Sequence, residues 1–235
     1  MIAIYKREMK SYFTSPIGYV YICAYLFAMA LFFKMNMLDQ GVSNVVYYFG
    51  GSLIIYMFLV PILTMRLFSE EKKTKTDQIL LTSPVSVTGI VLGKFLAAFS
   101  VFMIGLIPTA VSIAFLPIYG GSVSLGLTIG NYIGIIMLGM SFIALGCFLS
   151  SVTESQVVAA VLSFTVLMSL YFLDTLAGSI NSTFVTNIVN FISVYDRYTD
   201  FTSGLFSLSS VVYYLSVTVV FLFLTARMIE KRRWS

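Results

Sequence analysis

Apolar residues run through this chain in blocks of about 20, the length a helix rising 1.5 Å per residue needs to cross a hydrocarbon core about 30 Å thick. Six such blocks, at 17–38, 45–67, 90–116, 125–150, 156–173 and 211–228, predict six membrane-spanning helices. Pro16 suits the first helical turn ahead of the first block, where its missing N–H would be unpaired anyway. No charged residue occurs from Phe95 to Thr153, a stretch about twice too long for one span, and Pro117 to Ser122 divides it into a hairpin of two. Pro108, inside the third block, is a tolerated kink where neighbouring groups satisfy the freed carbonyl.

Two segments keep helical spacing without the length to span. Residues 175–209 are rich in Ser, Thr and Asn, and Val185, Ile188, Val189 and Ile192, then Val194, Tyr198, Phe201 and Leu205, form two stripes. They predict two short helices lying at, or dipping into, the outer face. At the start, Ile2, Tyr5, Met9 and Tyr12 share one face while Lys6, Arg7 and Lys10 lie on another. Residues 2–14 therefore read as an amphipathic helix in the membrane interface rather than an unstructured basic tail.

Composition agrees with burial in lipid: 59% of the 235 residues are hydrophobic and 10% charged, which leaves no soluble core beside the spans. Residues 1–235 form one all-α membrane domain. The apolar run at Ala28-Met29-Ala30 continues through Phe33, too long for a cleaved signal segment. Charge sets the orientation, because loops rich in Lys and Arg stay in the cytoplasm. Lys6, Arg7, Lys10, Arg66, Lys72, Lys73, Lys75, Lys94, Arg227, Lys231, Arg232 and Arg233, twelve of the fourteen basic residues, fall on one side. Both termini and the loop after the second span are then cytoplasmic. Lys34 snorkels at the far end of the first span and Arg197 sits in the outer segment.

Candidate chemistry is sparse. The chain has no histidine, Cys23 and Cys147 lie far apart inside apolar runs, and no acidic cluster offers a metal site or an acid–base pair. Gly89-Ile90-Val91-Leu92-Gly93-Lys94-Phe95 is one residue short of a phosphate-binding loop and lacks its Ser or Thr. Any ATP is hydrolysed by another chain. Glu154, Asp174, Asp196, Arg197 and Asp200 fall at span ends or beyond, where interfacial solvation explains them without an ion path.

One polar excursion stands out at residues 70–84. Thr74 and Asp77 have capping-box spacing, Pro84 stops a helix, and Thr76, Ile79 and Leu80 share a face between them. Either this is a short helix with an apolar knob or it is a solvated loop. Small residues also recur every four, as Gly126, Gly130, Gly134 in the fourth span and Ser155, Ala159, Ser163 in the fifth. Such stripes let helices approach closely, within one bundle or across a dimer seam.

The stretch Phe68-Ser69-Glu70-Glu71-Lys72 through Gln78-Ile79-Leu80-Leu81-Thr82-Ser83-Pro84-Val85-Ser86, followed by Ile90 to Ala98, resembles the ABC-2 type transporter permeases, particularly the gliding-motility-associated branch. Tyr12 to Val20, Ser150 to Gln156 and Gly204 to Tyr213 add to the likeness. The resemblance implies an elbow helix at 2–14, a coupling helix within 70–84 and re-entrant outer helices at 175–209. Glu70, Glu71, Thr76, Asp77, Gln78, Ile79, Leu80, Leu81 and Thr82 would then meet an ABC ATPase that binds ATP and Mg; this chain itself holds no cofactor or metal. It also implies a second permease subunit, the same or a related chain, joined through spans one and five with Ser155, Ala159 and Ser163 at the seam. The setting is a bacterial cytoplasmic membrane, with an accessory envelope protein as a further partner class and no nucleic acid.

The expected role is a permease moving a lipid-like or amphiphilic substrate. A membrane scaffold that anchors an ATPase in an envelope complex, without moving a solute, is the alternative.

Overall fold

A computed structural model describes residues 1–35, 45–76, 85–115, 117, 124–177, 193–204 and 207–233, and every regular element among them is helical. The helices are α1 (Ile2–Thr14), α2 (Pro16–Phe33), α3 (Val45–Thr64), α4 (Arg66–Lys73), α5 (Val87–Leu106), α6 (Thr109–Phe115), α7 (Leu125–Val152), α8 (Gln156–Ala177), α9 (Tyr195–Thr202) and α10 (Leu208–Arg233). Six stretches are long and apolar enough to cross a membrane: α2, α3 with α4, α5 with α6, α7, most of α8, and α10.

Local chemistry fixes several boundaries. Pro16 opens α2 directly after Ser15. Ser86 begins α5 at Val87, three residues before the hydropathy pattern suggests, because its hydroxyl accepts the free Gly89 N–H at 3.2 Å. Pro108 does more than kink its helix. The helix is interrupted by a turn at Ile107 and Pro108, and the Thr109 hydroxyl donates to the Leu106 carbonyl at 2.6 Å. The second span runs past 67 through α4 to Lys73, with a joint at Met65. At the other end α10 reaches Arg233 rather than 228.

Burial sorts the spans into a centre and a rim. In an apolar 18-residue stretch of each span, between 56% and 67% of the residues are buried in α3/α4, α5/α6 and α7, against 17% to 22% in α2, α8 and α10. In lipid the rim helices lose nothing by showing Val and Phe outward, since the hydrocarbon is itself apolar. The centre is filled by aromatic side chains. Tyr21, Tyr25, Tyr48, Tyr56, Phe49 and Phe102 are all essentially fully buried, and the Tyr25 and Tyr56 hydroxyls satisfy each other.

Helix α7 is the common partner, packing on α3, α4, α5, α8, α9 and α10. Its glycines make this possible. Gly139 faces the Phe102 ring of α5 and Gly146 faces Thr64 of α3, both at distances that leave no room for a Cβ. Gly130 and Gly134 receive α9: a Cβ on Gly130 would lie 2.8 Å from the Phe201 carbonyl oxygen, and one on Gly134 2.9 Å from the Phe201 Cβ. This part of the glycine stripe, Gly130 and Gly134, thus serves packing within the chain. It lets Val194, Tyr198 and Phe201 of the outer segment bury themselves, with the Tyr198 hydroxyl donating to Asn131 Oδ1 at 3.4 Å. Leu205 and the first of the two expected outer stripes lie outside the described residues, as do Pro84 and the hairpin from Ile118 to Ser122.

This packing predicts unequal costs along one stripe. Gly130→Ala should destabilise the fold by about 1 to 3 kcal/mol, because backbone of α9 stands in the way. Gly126→Ala, with open space around it, should be neutral or stabilising by up to about 1 kcal/mol. In a Cys23→Ser background, the temperature at which buried Cys147 becomes reactive to a thiol dye measures both.

Candidate functional site

The start of the 70–84 segment is bound into an ion cluster where α1, α4 and α5 meet. Lys94, in the second turn of α5, is 1% exposed and directs its ammonium at three acceptors. Glu8 Oε1 lies at 3.1 Å, Glu71 Oε2 at 3.0 Å and the Leu67 carbonyl at 2.5 Å, which uses all three N–H groups. Its charge also lies 5.2 Å from the centre of the Phe68 ring. Arg7, half-exposed, closes the cluster from the solvent side by donating to Glu8 at 2.6 Å and to Glu71 at 2.5 Å. Two cations and two carboxylates balance.

A second set of contacts ties α1 to the joint between α3 and α4. Arg66 donates to the Ser15 hydroxyl at 2.7 Å and to that of Ser11, lies over the Tyr12 ring, and pairs with Glu70 at 3.5 Å. The buried Tyr12 hydroxyl donates to the Leu63 carbonyl at 2.7 Å. From the other side, Ser150 of α7 accepts the Phe68 and Ser69 N–H groups at 3.1 and 3.3 Å and donates to the Met65 carbonyl at 2.9 Å. Met65 keeps helical angles, and this one hydroxyl meets three backbone groups of the stretch where α3 passes into α4. A polar recess of about 250 Å³ lies over this junction, lined by Arg7, Glu8, Glu70, Glu71, Thr74 and Thr76 among others.

Electrostatics favour the ionised form of Glu8. Burial, the largest single influence on Glu8, pushes its carboxyl up, but Lys94 and Arg7 beside it outweigh this and hold it below its ordinary 4.5.

Of the residues expected to meet an ATPase, Glu70 and Glu71 fall on α4, and Thr76 on the exposed turn that follows. Asp77, Gln78, Ile79, Leu80, Leu81 and Thr82 lie outside the described residues. Thr74 does not open a helix here. Its hydroxyl turns back to the Glu70 carbonyl at 2.9 Å, and Lys75 adopts φ +57°, so this stretch terminates α4.

The stripe on α8 also differs from expectation. Ala159 and Ser163 are buried within the chain, where α8 packs on α3 and α7, and only Ser155 at the helix start is exposed. Small residues ease close approach to any neighbour, and the near neighbours are helices of the same chain. The outward face of α8 carries Val157, Val158, Val161 and Leu162 instead.

Glu8 and Lys94 are the site residues that sequence reasoning missed. Lys94 was counted as a loop charge although it stands inside the third apolar block, and a lysine within such a block calls for a carboxylate partner. Glu8, the one acid in a basic N-terminal segment, was its signal.

Over residues 2–234 the chain matches the sequence model of a family described as ABC-2 family transporter protein. No curated protein matches it.

Removing one member of a buried ion cluster leaves the others uncompensated, so Lys94→Met should lower stability by about 3 to 5 kcal/mol in a thermal or denaturant melt of the purified protein. A separate expectation concerns acid. Because the folded-state value of Glu8 is depressed, its stabilisation is complete above pH 4.5 and disappears as pH falls through that lower value. Melting temperatures measured from neutral pH down to acid should therefore fall less steeply for Glu8→Gln than for the wild type.

Proposed function

This chain belongs to the ABC-2 family of transporter proteins and so is a transmembrane subunit of an ABC transporter, and we propose that it moves a lipid-like or amphiphilic substrate using ATP hydrolysed by a separate subunit seated on residues 70–84. The observation that carries this reading is the cluster of Arg7, Glu8, Glu71 and Lys94. It binds the helix leading into that loop to α1 and to the first turns of α5, so a push on the loop reaches both central spans at once. A loop serving only as a solvated connection has no need of a four-charge anchor built around a buried lysine at its base.

In this mechanism closure of the ATPase pair displaces α4, and Lys94 passes the displacement to α5 through contacts of 3.1 Å or less. Where α3 passes into α4 at Met65, Ser150 of α7 holds the Met65 carbonyl, so the displacement also reaches α7. Both termini and the 70–84 loop face the cytoplasm of a bacterial cell, as the basic residues require. A second copy or related chain completes the path, meeting this one along α2 and the outward face of α8. Those two helices flank α3, and Phe27 and Leu31 of α2, Phe58 of α3 and Val161 of α8 are all exposed. A substrate with a large apolar part suits spans whose charged residues, among those described, stand near the ends. Within the family we place the chain in the gliding-motility-associated branch, on the likeness of residues 68–98.

The test is to purify the chain with its ATPase and change Ile79 and Leu80 together to Asp. Burying both side chains at the contact is worth roughly 3 to 6 kcal/mol before association costs, so the double variant should insert normally yet lose the ATPase or its coupling. In the wild-type complex, ATPase activity should respond to candidate lipids. A double variant that inserts normally and keeps its ATPase with unchanged transport means the loop is only a solvated connection, whereas activity indifferent to lipid in the wild-type complex favours the anchoring scaffold.

A further inference from the structure

An apolar cavity of about 330 Å³ lies in the angle between α7, α8 and α10, away from the ion cluster. Phe142 and Leu145 of α7 form its floor, Val166 and Leu170 of α8 one wall, and Val217 and Phe221 of α10 the other. Tyr213 and Val194 complete it at the end farther from the chain termini. Tyr213, Val217 and Phe221 stand four residues apart, so the slot runs along the helix axis for about 12 Å. The Ser141 hydroxyl at its edge is engaged with the Tyr214 carbonyl and Thr218, so the lining offers hydrocarbon alone.

The slot is too small for a helix. A cylinder about 10 Å across and 12 Å long fills on the order of 900 Å³, well beyond this cavity. It matches a single hydrocarbon chain, since one leaflet of the membrane core is about 15 Å deep. Its end is marked by a cation. Arg197, one turn beyond Val194 on α9, stacks on the slot residue Tyr213 at 4.4 Å from the ring centre. Arg197 donates to the Ser209 hydroxyl at 3.3 Å, has a buried Nε–H without an acceptor, and makes no ion pair among the described residues. The nearby Asp200 is occupied by Ser210 at 2.7 Å. An arginine beside the mouth of an apolar slot, near the end of the span, is the chemistry that holds a phosphate whose acyl chain lies in the slot.

We propose that α7, α8, α9 and α10 form a binding site for one phospholipid of the leaflet farther from the termini, with an acyl chain in the slot and its headgroup phosphate on Arg197. This site stands independently of the transport reading, and its test uses no ATPase.

The full chain is reconstituted in phosphatidylglycerol vesicles doped with either phosphatidylglycerol or diacylglycerol carrying a photoreactive group midway along one acyl chain. Adducts mapped by mass spectrometry should concentrate on Phe142, Leu145, Val166, Leu170, Val217 and Phe221. The phospholipid probe should label these about tenfold more than diacylglycerol, as one charged hydrogen bond provides. Val217→Trp should fill the slot and abolish these adducts, while Val219→Trp on the exposed face of α10 leaves them. Arg197→Gln should bring the two probes to equal yield. Wild-type adducts spread evenly over Val157, Val212 and Val219 as well as the slot would show ordinary surrounding lipid and overturn the proposal. A preference for phospholipid that survives Arg197→Gln would overturn the headgroup assignment.

Discussion

The structure on the terminal side depends on what it takes to bury Lys94. A lysine ammonium removed from water costs several kcal/mol unless its charge and all its donors are met. Meeting them fixes the neighbourhood. Glu8 must come from α1, Glu71 and the Leu67 carbonyl from α4, and the two helices can supply these only in one register against α5. The close approach of α1 to α5 has the same cause and its own requirement. A Cβ on Gly93 would sit 3.1 to 3.2 Å from Ile4, so the residue before Lys94 is small where α1 crosses.

A buried ion cluster is a poor device for raising stability, because apolar residues of the same volume often do as well. Its distinguishing property is directional. The contacts of Lys94 are lost over a fraction of an ångström, whereas apolar side chains slide past one another with little change in energy. A joint that fixes three helices in one register benefits from that stiffness. The contrast with Met65 is instructive. There the backbone keeps helical angles, and one serine hydroxyl meets the Met65 carbonyl and the Phe68 and Ser69 N–H groups.

The spans were legible because lipid demands a long apolar run, and Pro16 and the Val194, Tyr198 and Phe201 stripe were legible because each follows a local rule. The rest fails for identifiable reasons. Counting Lys and Arg by side assigns charges to loops, and it is indifferent to whether Lys94 is solvated or buried against Glu8. The spacing of Thr74 and Asp77 matches a helix start, yet Thr74 is equally able to close the helix before it, and the α4 carbonyls claimed it. The stripe of Ala159 and Ser163 specifies close approach and says nothing about the partner. Within one chain α3 and α7 are already at hand, so they take that face.

That choice of face has a further consequence for α8. With Ala159, Ser163 and Leu167 turned inward, the helix is held to the bundle by one narrow strip, and only 17% of its span is buried. The strip meets α3 and α7, while α10 takes another flank of α7. Two cylinders set against a third leave a groove between them wherever large side chains do not close it, and Val166, Leu170 and Val217 are too short to do so. The open slot therefore follows from the small-residue packing of α8. The same helix stands between that slot and the exposed face shared by α2 and α3, so a shift of α8 changes both at once.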